Sequence, residues 1–537
     1  MHTRQGETGV SPTSLGRAII GYVYVGRSGI TTEELEAYIL DWGLVSRGEL
    51  VGIVDKVRNR MYIAKVVSID VESPLGESAE IPEIAKGLHT ELFDLIKGLI
   101  KDPYLMRRFA KLRLLFIVNL DKDGKFKYNE DGKLDTKYVD EPPMPGASVV
   151  KLSVEDYREI LNLKDEKNGV CVGRLVERPD IKVCFDSGFY RSHIVVLGQT
   201  GSGKSEAITK VIEEYMRLGF TVVVMDPLGE YVDIGKSRVD GRQVYAVNVV
   251  RPGIDFTIGY NKLSPVEVKL IAQLVDEKNP PSEQGLDALA DAHERYLSTC
   301  VNTNDQKKPD ICLKPYFDAL RSFFRSIAGT PRYKLHEKTE EAIIRRINLM
   351  ERMHLWSPDP NFDLDVRPLV QGYNAVVIDY SGAGTMSTEA RILASVFLSR
   401  LIDRKKIDPG FKGYPLFLVA DEAAHFVPRD YDTELSRKFR ELIGEMRKFH
   451  LGVALITQTP RRLHPDVLEA ANTKMLFRLH GSGVDEVKRY GSLSEEDLVH
   501  LTTMEDGVAF IISSYVTRNI PIMVKFDKPS VMHHYVF

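Results

Sequence analysis

The octapeptide GQTGSGKS, at 198–205 of this 537-residue chain, combines the residue types that bind a chain of phosphate groups. Its glycines carry no side chain, so backbone N–H groups can converge on phosphate oxygens and the backbone can take a left-handed turn. Lys204 supplies a flexible positive charge for the β- and γ-phosphates, and the Ser205 hydroxyl is a candidate Mg²⁺ ligand. A chance match is the alternative, but the apolar strand before the loop and the helix after it are the context the pattern requires. The predicted nucleotide-binding residues are Gly198, Gln199, Thr200, Gly201, Ser202, Gly203, Lys204, Ser205 and Glu206.

Two adjacent carboxylates, Asp421 and Glu422, follow the apolar segment PLFLVA at 415–420. A carboxylate at the carboxyl end of a strand can hold Mg²⁺, and Asp421 is the candidate. Glu422 can then act as the general base that activates the attacking water. The alternative is an acidic helix N-terminus, where such pairs are common. Because a phosphate-binding loop is present in the same chain, we favour hydrolysis; a small-molecule kinase would use a similar loop, usually in a much shorter chain.

Gln458 directly follows another predicted strand, at 453–457. An amide there could sense the γ-phosphate and orient the water, and the alternative is an ordinary polar strand end. Arg447 lies on the preceding predicted helix, off its apolar stripe. It is either a solvated surface residue or an arginine finger that reaches the nucleotide of a neighbouring subunit. Spacing alone favours neither interpretation of Arg447.

The hydrophobic pattern predicts several domains. Residues 18–25, 49–55 and 61–70 predict short strands separated by turns, which is typical of a small barrel or sandwich. A helix is predicted at 89–113. From about residue 190, apolar strands alternate with helices, which predicts a buried parallel sheet.

Helical periodicity within 263–356 interrupts this pattern and predicts an inserted helical bundle. The predicted fold class is α/β, with a RecA-like core. The predicted domains are a β-barrel with a helical insertion at 1–185, the ATPase core at 186–262 and 365–505, the inserted bundle at 263–364, and C-terminal strands at 506–537.

Composition restricts the class of protein. With 72 Lys+Arg against 76 Asp+Glu, the net charge of −4 excludes a generally basic nucleic-acid coat, so a DNA-binding surface must be local. The four cysteines form no CxxC pair, which argues against a zinc module or disulfide framework and favours a reducing compartment. No apolar signal core or long apolar stretch is evident. We therefore expect a soluble, cytoplasmic protein without a membrane segment.

Several segments together resemble the HerA branch of the HerA/FtsK-type DNA translocases. They are GQTGSGKS, MDPLGEY (225–231), IDYSGAG (378–384), FLVADEAAHFVP (417–428) and EMRKFHLGVALITQTPRRLHPDVLEAANTKMLFRL (445–479). The run from RKF through the strand that ends in TQ to the strand that begins at NT carries most of the specificity. The resemblance covers about 190–260 and 370–500.

The resemblance implies a homohexameric ring around double-stranded DNA, with ATP sites between subunits and Mg²⁺ at each site. It also implies an N-terminal HAS-type barrel that docks a NurA-type nuclease in end resection. By motif, Lys204, Ser205, Asp421, Glu422 and Gln458 keep the roles given above. Arg447 matches the arginine that acts across the subunit boundary, and Arg191 resembles an arginine that acts within its own site. The family often has an arginine at the position of Thr459, which is given no role.

Basic clusters at Arg404-Lys405-Lys406, Arg437-Lys438 and Arg461-Arg462 are candidates for DNA contact, although each is more often an ordinary solvated face. Other functions remain open at this point. A conjugation or packaging ATPase shares the ring and its chemistry. A defence complex could use the ring chiefly as a scaffold for an effector, and a protein-remodelling ATPase would be stimulated by unfolded protein instead of DNA.

Overall fold

The computed structural model describes most of the chain, which divides into two compact units. The first unit comprises described residues within Met1–Asp165, Gly173–Phe185 and Val516–Lys525, and the second comprises those within Glu166–Val172, Asp186–Tyr515 and Phe526–Phe537. The described residues are 13–25, 29–40, 43–72, 107–188, 193–236, 238–239, 242–243, 245–277, 279–302, 309–381, 387–445, 449–490, 493–515 and 517–531.

The first unit is built on a closed antiparallel barrel. Six strands pair in the order β2-β3-β6-β5-β4-β8, and β8 pairs again with β2. Alternate residues of β3 are buried, as a strand with one face toward a core requires. The strands are β1 (Thr13–Ser14), β2 (Arg17–Tyr24), β3 (Glu34–Ile39), β4 (Leu50–Asp55), β5 (Arg60–Glu72), β6 (Arg107–Asn119), β7 (Thr136–Lys137) and β8 (Ser148–Lys151), followed by helix α1 (Val154–Ile160).

A glycine in β2 lies where the strand closely approaches β3 and where its register with β8 shifts. A Cβ atom on Gly21 would lie 2.2 Å from the carbonyl oxygen of Tyr38 on β3, and the β2–β8 register shifts between Ile19 and Gly21. A bulge of this kind bends a strand where a sheet must curve. The barrel predicted from the sequence is confirmed. The helix predicted at 89–113 is wrong for 107–113, which belong to β6, and 89–106 lie outside the described residues.

The core of the second unit is a largely parallel sheet with the order β20-β19-β11-β18-β17-β12-β16-β15. Every residue of β11, β12, β17 and β18 is buried, as expected for strands covered by helices on both faces. The antiparallel partner β20, in the predicted C-terminal region, pairs with β19 and so belongs to this sheet. Its strands are β11 (Ile194–Leu197), β12 (Thr221–Asp226), β15 (Val247–Val250), β16 (Ala375–Asp379), β17 (Leu416–Ala420), β18 (Leu451–Thr457), β19 (Thr473–Leu476) and β20 (Val508–Ser513).

The other strands are not part of this eight-strand series. β9 (Gly169–Leu175), β10 (Lys182–Asp186) and β21 (Ile522–Phe526) occur where the chain passes between the two units, and β13 (Arg238–Val239) forms a short hairpin with β14 (Arg242–Gln243).

The helices of the second unit include α3 to α6, which lie in the region where the sequence predicts an inserted bundle. Parallel strands alternating with helices confirm the predicted α/β fold class. Within this group, buried His293 receives a hydrogen bond from the Tyr316 hydroxyl at Nδ1, 3.0 Å, while Nε2 lies 3.1 Å from the Leu263 carbonyl oxygen. The helices are α2 (Lys204–Arg217), α3 (Pro265–Leu274), α4 (Glu283–Tyr296), α5 (Tyr316–Ala328), α6 (Glu337–Arg352), α7 (Val366–Val370), α8 (Thr388–Ile407), α9 (Pro409–Lys412), α10 (Glu434–Glu445), α11 (Pro465–Ala470), α12 (Ser482–Tyr490) and α13 (Glu495–Thr503).

No helix among the described ranges combines the length and apolar composition needed to cross a membrane.

The argument from the sequence against disulfides is wrong for one pair of cysteines. Cys300 and Cys312 are joined, with Cα atoms 5.2 Å apart, and no cysteine among the described residues is free. The pair links the π-helix that continues α4, Leu297–Val301, to the 3₁₀ helix before α5, Asp310–Leu313, so the proximity of the two cysteines depends on how the inserted helices pack. Spacing in the sequence could not reveal that proximity.

The basic clusters are largely used within the fold. Lys405 is fully buried, and its ammonium donates to the carbonyl oxygens of Phe411, Lys412 and Tyr414 at 3.0, 3.2 and 2.5 Å. Burial lowers the pKa of Lys405 to about 8. Lys438 donates to Ser399 and Asp403. Lys405 therefore fastens the turn between α8 and β17, and its side chain is not a surface for DNA.

We expect Lys405→Met to lower the free energy of unfolding by about 2 kcal/mol, because carbonyl oxygens that accept from its ammonium would stay buried without a donor. The matched control is Lys406→Met in the same helix, where the side chain pairs at the surface with Glu441 and the expected loss is below about 0.5 kcal/mol. Thermal unfolding of the two variants measures the difference. Equal shifts in midpoint would contradict this role of Lys405.

Candidate nucleotide-binding and hydrolysis site

The phosphate-binding loop connects β11 to α2, and two of its glycines meet specific demands. Gly203 has φ +86°, and a Cβ atom there would lie 2.5 Å from the backbone nitrogen of Gly507. At Gly198, a Cβ atom would lie 2.6 Å from that of Phe477. The Gly507 N–H also donates to the Ser202 carbonyl oxygen at 3.0 Å. The loop is thus shaped both by its own residues and by the backbone before β20.

Lys204, the first residue of α2, is buried, with 7% of its surface exposed. Its ammonium donates to the Gln199 carbonyl oxygen at 2.7 Å. Burial lowers the pKa of Lys204 to about 8, while the charges of Asp421, Glu422 and Glu230 act in the opposite direction. The side chain is therefore a desolvated cation that faces acidic groups, and a phosphate chain would stabilise its charged form.

Acidic residues end three neighbouring parallel strands at the same edge of the sheet. β12 ends at Asp226, which pairs in register with Asp379 at the end of β16. Asp421 directly follows β17, which pairs with the other side of β12. The carboxyl ends of parallel strands are where ligands bind in open α/β sheets.

Asp421 is almost fully buried, and burial raises its pKa to about 7. Its Oδ1 accepts the Glu422 N–H at 2.8 Å, and its Oδ2 accepts the Tyr231 hydroxyl at 3.3 Å. The charges of Glu422, Glu230 and Asp226 raise the pKa of Asp421 further. A cation beside this carboxylate would offset that cost, because opposite charge favours the ionised form.

Glu422 has a left-handed backbone, with φ +45°. Such a conformation is uncommon for a residue with a side chain and clusters at functional sites. Burial raises the pKa of Glu422, against the charges of Lys204 and Arg462 and a hydrogen bond from Gln458. The side chain is half-buried, which suits a base that must reach a water molecule.

Gln458 follows β18 and connects two parts of the site. Its Oε1 accepts the Thr200 hydroxyl of the phosphate-binding loop, and its amide hydrogen-bonds Glu422. The structure therefore brings the predicted sensor into contact with both the loop and the predicted base.

One cavity of about 410 Å³ joins these elements. It contains predicted residues from the loop, the strand end after β17 and the strand end after β18. Leu228, Glu230 and Asp506 also line it, and no role is predicted for them from the sequence. The MDPLGEY segment was a signal for the first two, but nothing local indicated Asp506. The lining residues are Thr200, Gly201, Gly203, Lys204, Ser205, Glu206, Leu228, Glu230, Asp421, Gln458 and Asp506.

The donor set fits Mg²⁺ that arrives with a nucleotide. Ser205 and Asp421 line the same cavity, and Mg²⁺ commonly takes one or two carboxylates together with substrate phosphates and water. Within the described ranges no group of three or more His, Cys, Asp or Glu residues is assembled to hold a metal alone. Ser205 and Asp421 would hold the ion while phosphate oxygens supply other ligands.

Arg191 and Arg447 lie outside the described residues, so their predicted roles stay predictions.

A family model and several relatives resemble this chain. Residues 170–401 match the model described as the helicase HerA central domain. A probable helicase of Methanocaldococcus jannaschii is 25% identical over 412 residues, which cover 74% of this chain and 74% of the relative. The DNA double-strand break repair helicase HerA of Pyrococcus furiosus is 23% identical over 412 residues, which cover 68% and 71%.

Solved structures with a similar arrangement include VirB4 of Thermoanaerobacter pseudethanolicus, with a TM-score of 0.48 and 17% identity over 68% of this chain and 98% of that one. The plasmid coupling protein TrwB in complex with ADP and Mg²⁺ has a TM-score of 0.47 and 16% identity over 70% and 94%. From this partial family match and the aligned relatives, the chain is a P-loop ATPase that is similar to the HerA helicases over most of its length.

Proposed function

We propose that this protein is an ATP-driven double-stranded DNA translocase or helicase that acts as a homohexamer in DNA end resection, together with a NurA-type nuclease. The observation that carries the proposal is the single cavity in which Lys204, Asp421 and Gln458 meet, with Glu422 beside it. Alignments with relatives named DNA double-strand break repair helicase HerA support DNA as the substrate, and one covers 74% of this chain and 76% of the relative.

The site suggests how hydrolysis would proceed. Backbone N–H groups of the loop and the Lys204 ammonium would hold the β- and γ-phosphates. Mg²⁺ held by Ser205 and Asp421 would neutralise charge on the phosphate oxygens. Glu422 would accept a proton as the water oxygen attacks the γ-phosphorus, and the bond to the β-bridging oxygen would break to leave ADP and phosphate. Gln458, in contact with both the loop and Glu422, would orient that water.

The neighbouring subunit would complete the site. A guanidinium suits the spread charge of the phosphoryl-transfer transition state, and Arg447 would supply it across the subunit boundary. Loss of the γ-phosphate removes such contacts, so a two-state interface can convert hydrolysis into movement along DNA.

The surface of the protein that contacts DNA is expected to be small, because few basic side chains are available for it. The net charge is −4, and Lys405, Arg437 and Lys438 are engaged within the fold. Arg461 remains substantially exposed beside Asp485, and Arg462 is exposed next to it. A ring of such residues in a central channel would follow the phosphate backbone without reading its sequence.

Lys204→Ala is expected to abolish ATP turnover, because the loop loses the charge that meets the β- and γ-phosphates. Glu422→Gln is expected to bind ATP nearly as well as the unmodified protein but to lower kcat by at least about 100-fold, since the base is lost. A nucleotide-binding titration run beside phosphate release separates the two effects. Retained turnover in Lys204→Ala would remove this site from consideration.

Arg447→Ala is expected to retain nucleotide binding and lose hydrolysis. Mixing it with Glu422→Gln subunits should restore part of the activity, because some interfaces then combine an intact Glu422 with an intact Arg447 from the neighbour. Phosphate release across a range of mixing ratios is the measurement. No recovery at any ratio, in assemblies shown by native mass spectrometry to be mixed, would argue against action between subunits.

Duplex DNA is expected to stimulate the ATPase of the purified protein without sequence preference, and the stimulation should fall as salt is raised from 50 to 200 mM, because phosphate contacts release counterions. Phosphate release with random-sequence duplexes, and displacement of a bound block from such a duplex, measure turnover and movement. Stimulation by an unfolded protein but not by DNA would contradict the proposal. Turnover that no duplex changes, without movement, would favour a scaffold role.

A further inference from the structure

The turn from Asp226 to Tyr231 is organised by a single buried carboxylate. Oδ1 of Asp226 accepts the backbone N–H groups of Leu228, Gly229 and Glu230 at 3.3, 2.8 and 3.1 Å. Its Oδ2 accepts the Tyr231 N–H at 2.8 Å. Four donors on one side chain leave the turn little freedom, so the side chains that it carries have fixed positions.

That turn delivers the Tyr231 side chain to the candidate metal ligand. Tyr231 is fully buried, and its hydroxyl donates to Oδ2 of Asp421 at 3.3 Å. The other oxygen, Oδ1, accepts the Glu422 N–H. Each carboxylate oxygen therefore has one donor that fixes the plane of the group, and each oxygen keeps a lone pair for a further ligand.

We propose that Tyr231 is a positioning residue for Asp421: its hydroxyl holds the carboxylate in the orientation that ligates Mg²⁺. This inference rests on the proposed metal role of Asp421. Groups that hydrogen-bond a ligating carboxylate orient it and tune its affinity for the ion, and their loss commonly costs tenfold or more in metal affinity.

A second buried tyrosine, Tyr380, offers a matched control for Tyr231. Tyr380 directly follows β16 and is 1% exposed, and its backbone N–H donates to the Asp226 carbonyl oxygen at 3.1 Å. Its hydroxyl has no hydrogen-bond partner within the described part of the chain. Tyr231 and Tyr380 are thus both buried near adjacent strand ends, but of these two hydroxyls only that of Tyr231 hydrogen-bonds Asp421.

The test uses full-length Tyr231→Phe and Tyr380→Phe, with Mn²⁺ as the probe and a non-hydrolysable ATP analogue at saturation. Electron paramagnetic resonance reports free Mn²⁺ and so gives the affinity of the ion without turnover. Tyr231→Phe should weaken Mn²⁺ binding by about tenfold, whereas Tyr380→Phe should stay within about twofold of the unmodified protein. Analogue affinity in EDTA should be unchanged in both. In turnover assays, Tyr231→Phe should need more Mg²⁺ for half-maximal rate and recover most of kcat at saturation.

A double-mutant comparison with Asp421→Asn distinguishes the possible failures. If Tyr231 acts through Asp421, adding Tyr231→Phe to Asp421→Asn should cause no further loss of Mn²⁺ affinity. Unchanged affinity in Tyr231→Phe, with weakened affinity in Asp421→Asn, would overturn the positioning role alone. Unchanged affinity in Asp421→Asn would remove its metal role and the positioning role with it. Equal losses in the two tyrosine variants, or a fall in thermal midpoint that accounts for the loss, would indicate packing and overturn the proposal.

Discussion

The candidate site depends on parallel strand pairing in the second unit. Leu197 pairs with Thr457, Ala420 with Leu455, and Met225 with Ala420, so these four strands end together at one edge of the sheet. Residues that follow the strands then meet although they are remote in the chain: Thr200 and Gln458 are separated by 258 positions and share a hydrogen bond. A shift of one residue in any of these pairings would move a catalytic candidate by about 3.3 Å and turn its side chain to the other face.

Charged residues determine which ligand this edge of the sheet can bind. One buried ammonium, on Lys204, faces the carboxylates of Asp421, Glu422 and Glu230, and the burial that lowers its pKa raises those of Asp421 and Glu422. Both kinds of shift arise because charged forms are poorly solvated there. A nucleotide with its divalent cation supplies negative charge beside the lysine and positive charge beside the carboxylates. The site is therefore electrostatically complementary to a cation–triphosphate pair rather than to either ion alone.

Local patterns accounted for much of the molecule. The phosphate-binding loop and the apolar strands were predictable because the residue types and spacing that define them lie within a few positions. Glu230 and Tyr231 had no predicted role because their placement depends on the Asp226 side chain capping a turn, which is a tertiary arrangement. The disulfide of Cys300 and the burial of Lys405 were missed for the same reason, since each requires contacts across packed helices or turns. The strand at 107–113 was mistaken for a helix because its pairing partner, β5, is distant in sequence.

The close approach of Gly203 to Gly507 has a consequence for transplanting the loop. The octapeptide does not form its structure alone, because it packs against the backbone at Gly507, which follows α13 in the chain. A scaffold that received these eight residues without that second segment would leave the Ser202 carbonyl oxygen without its donor and the left-handed turn unsupported. Any fragment of this protein that ended before residue 507 would contain the whole motif but would lack the backbone against which the motif packs.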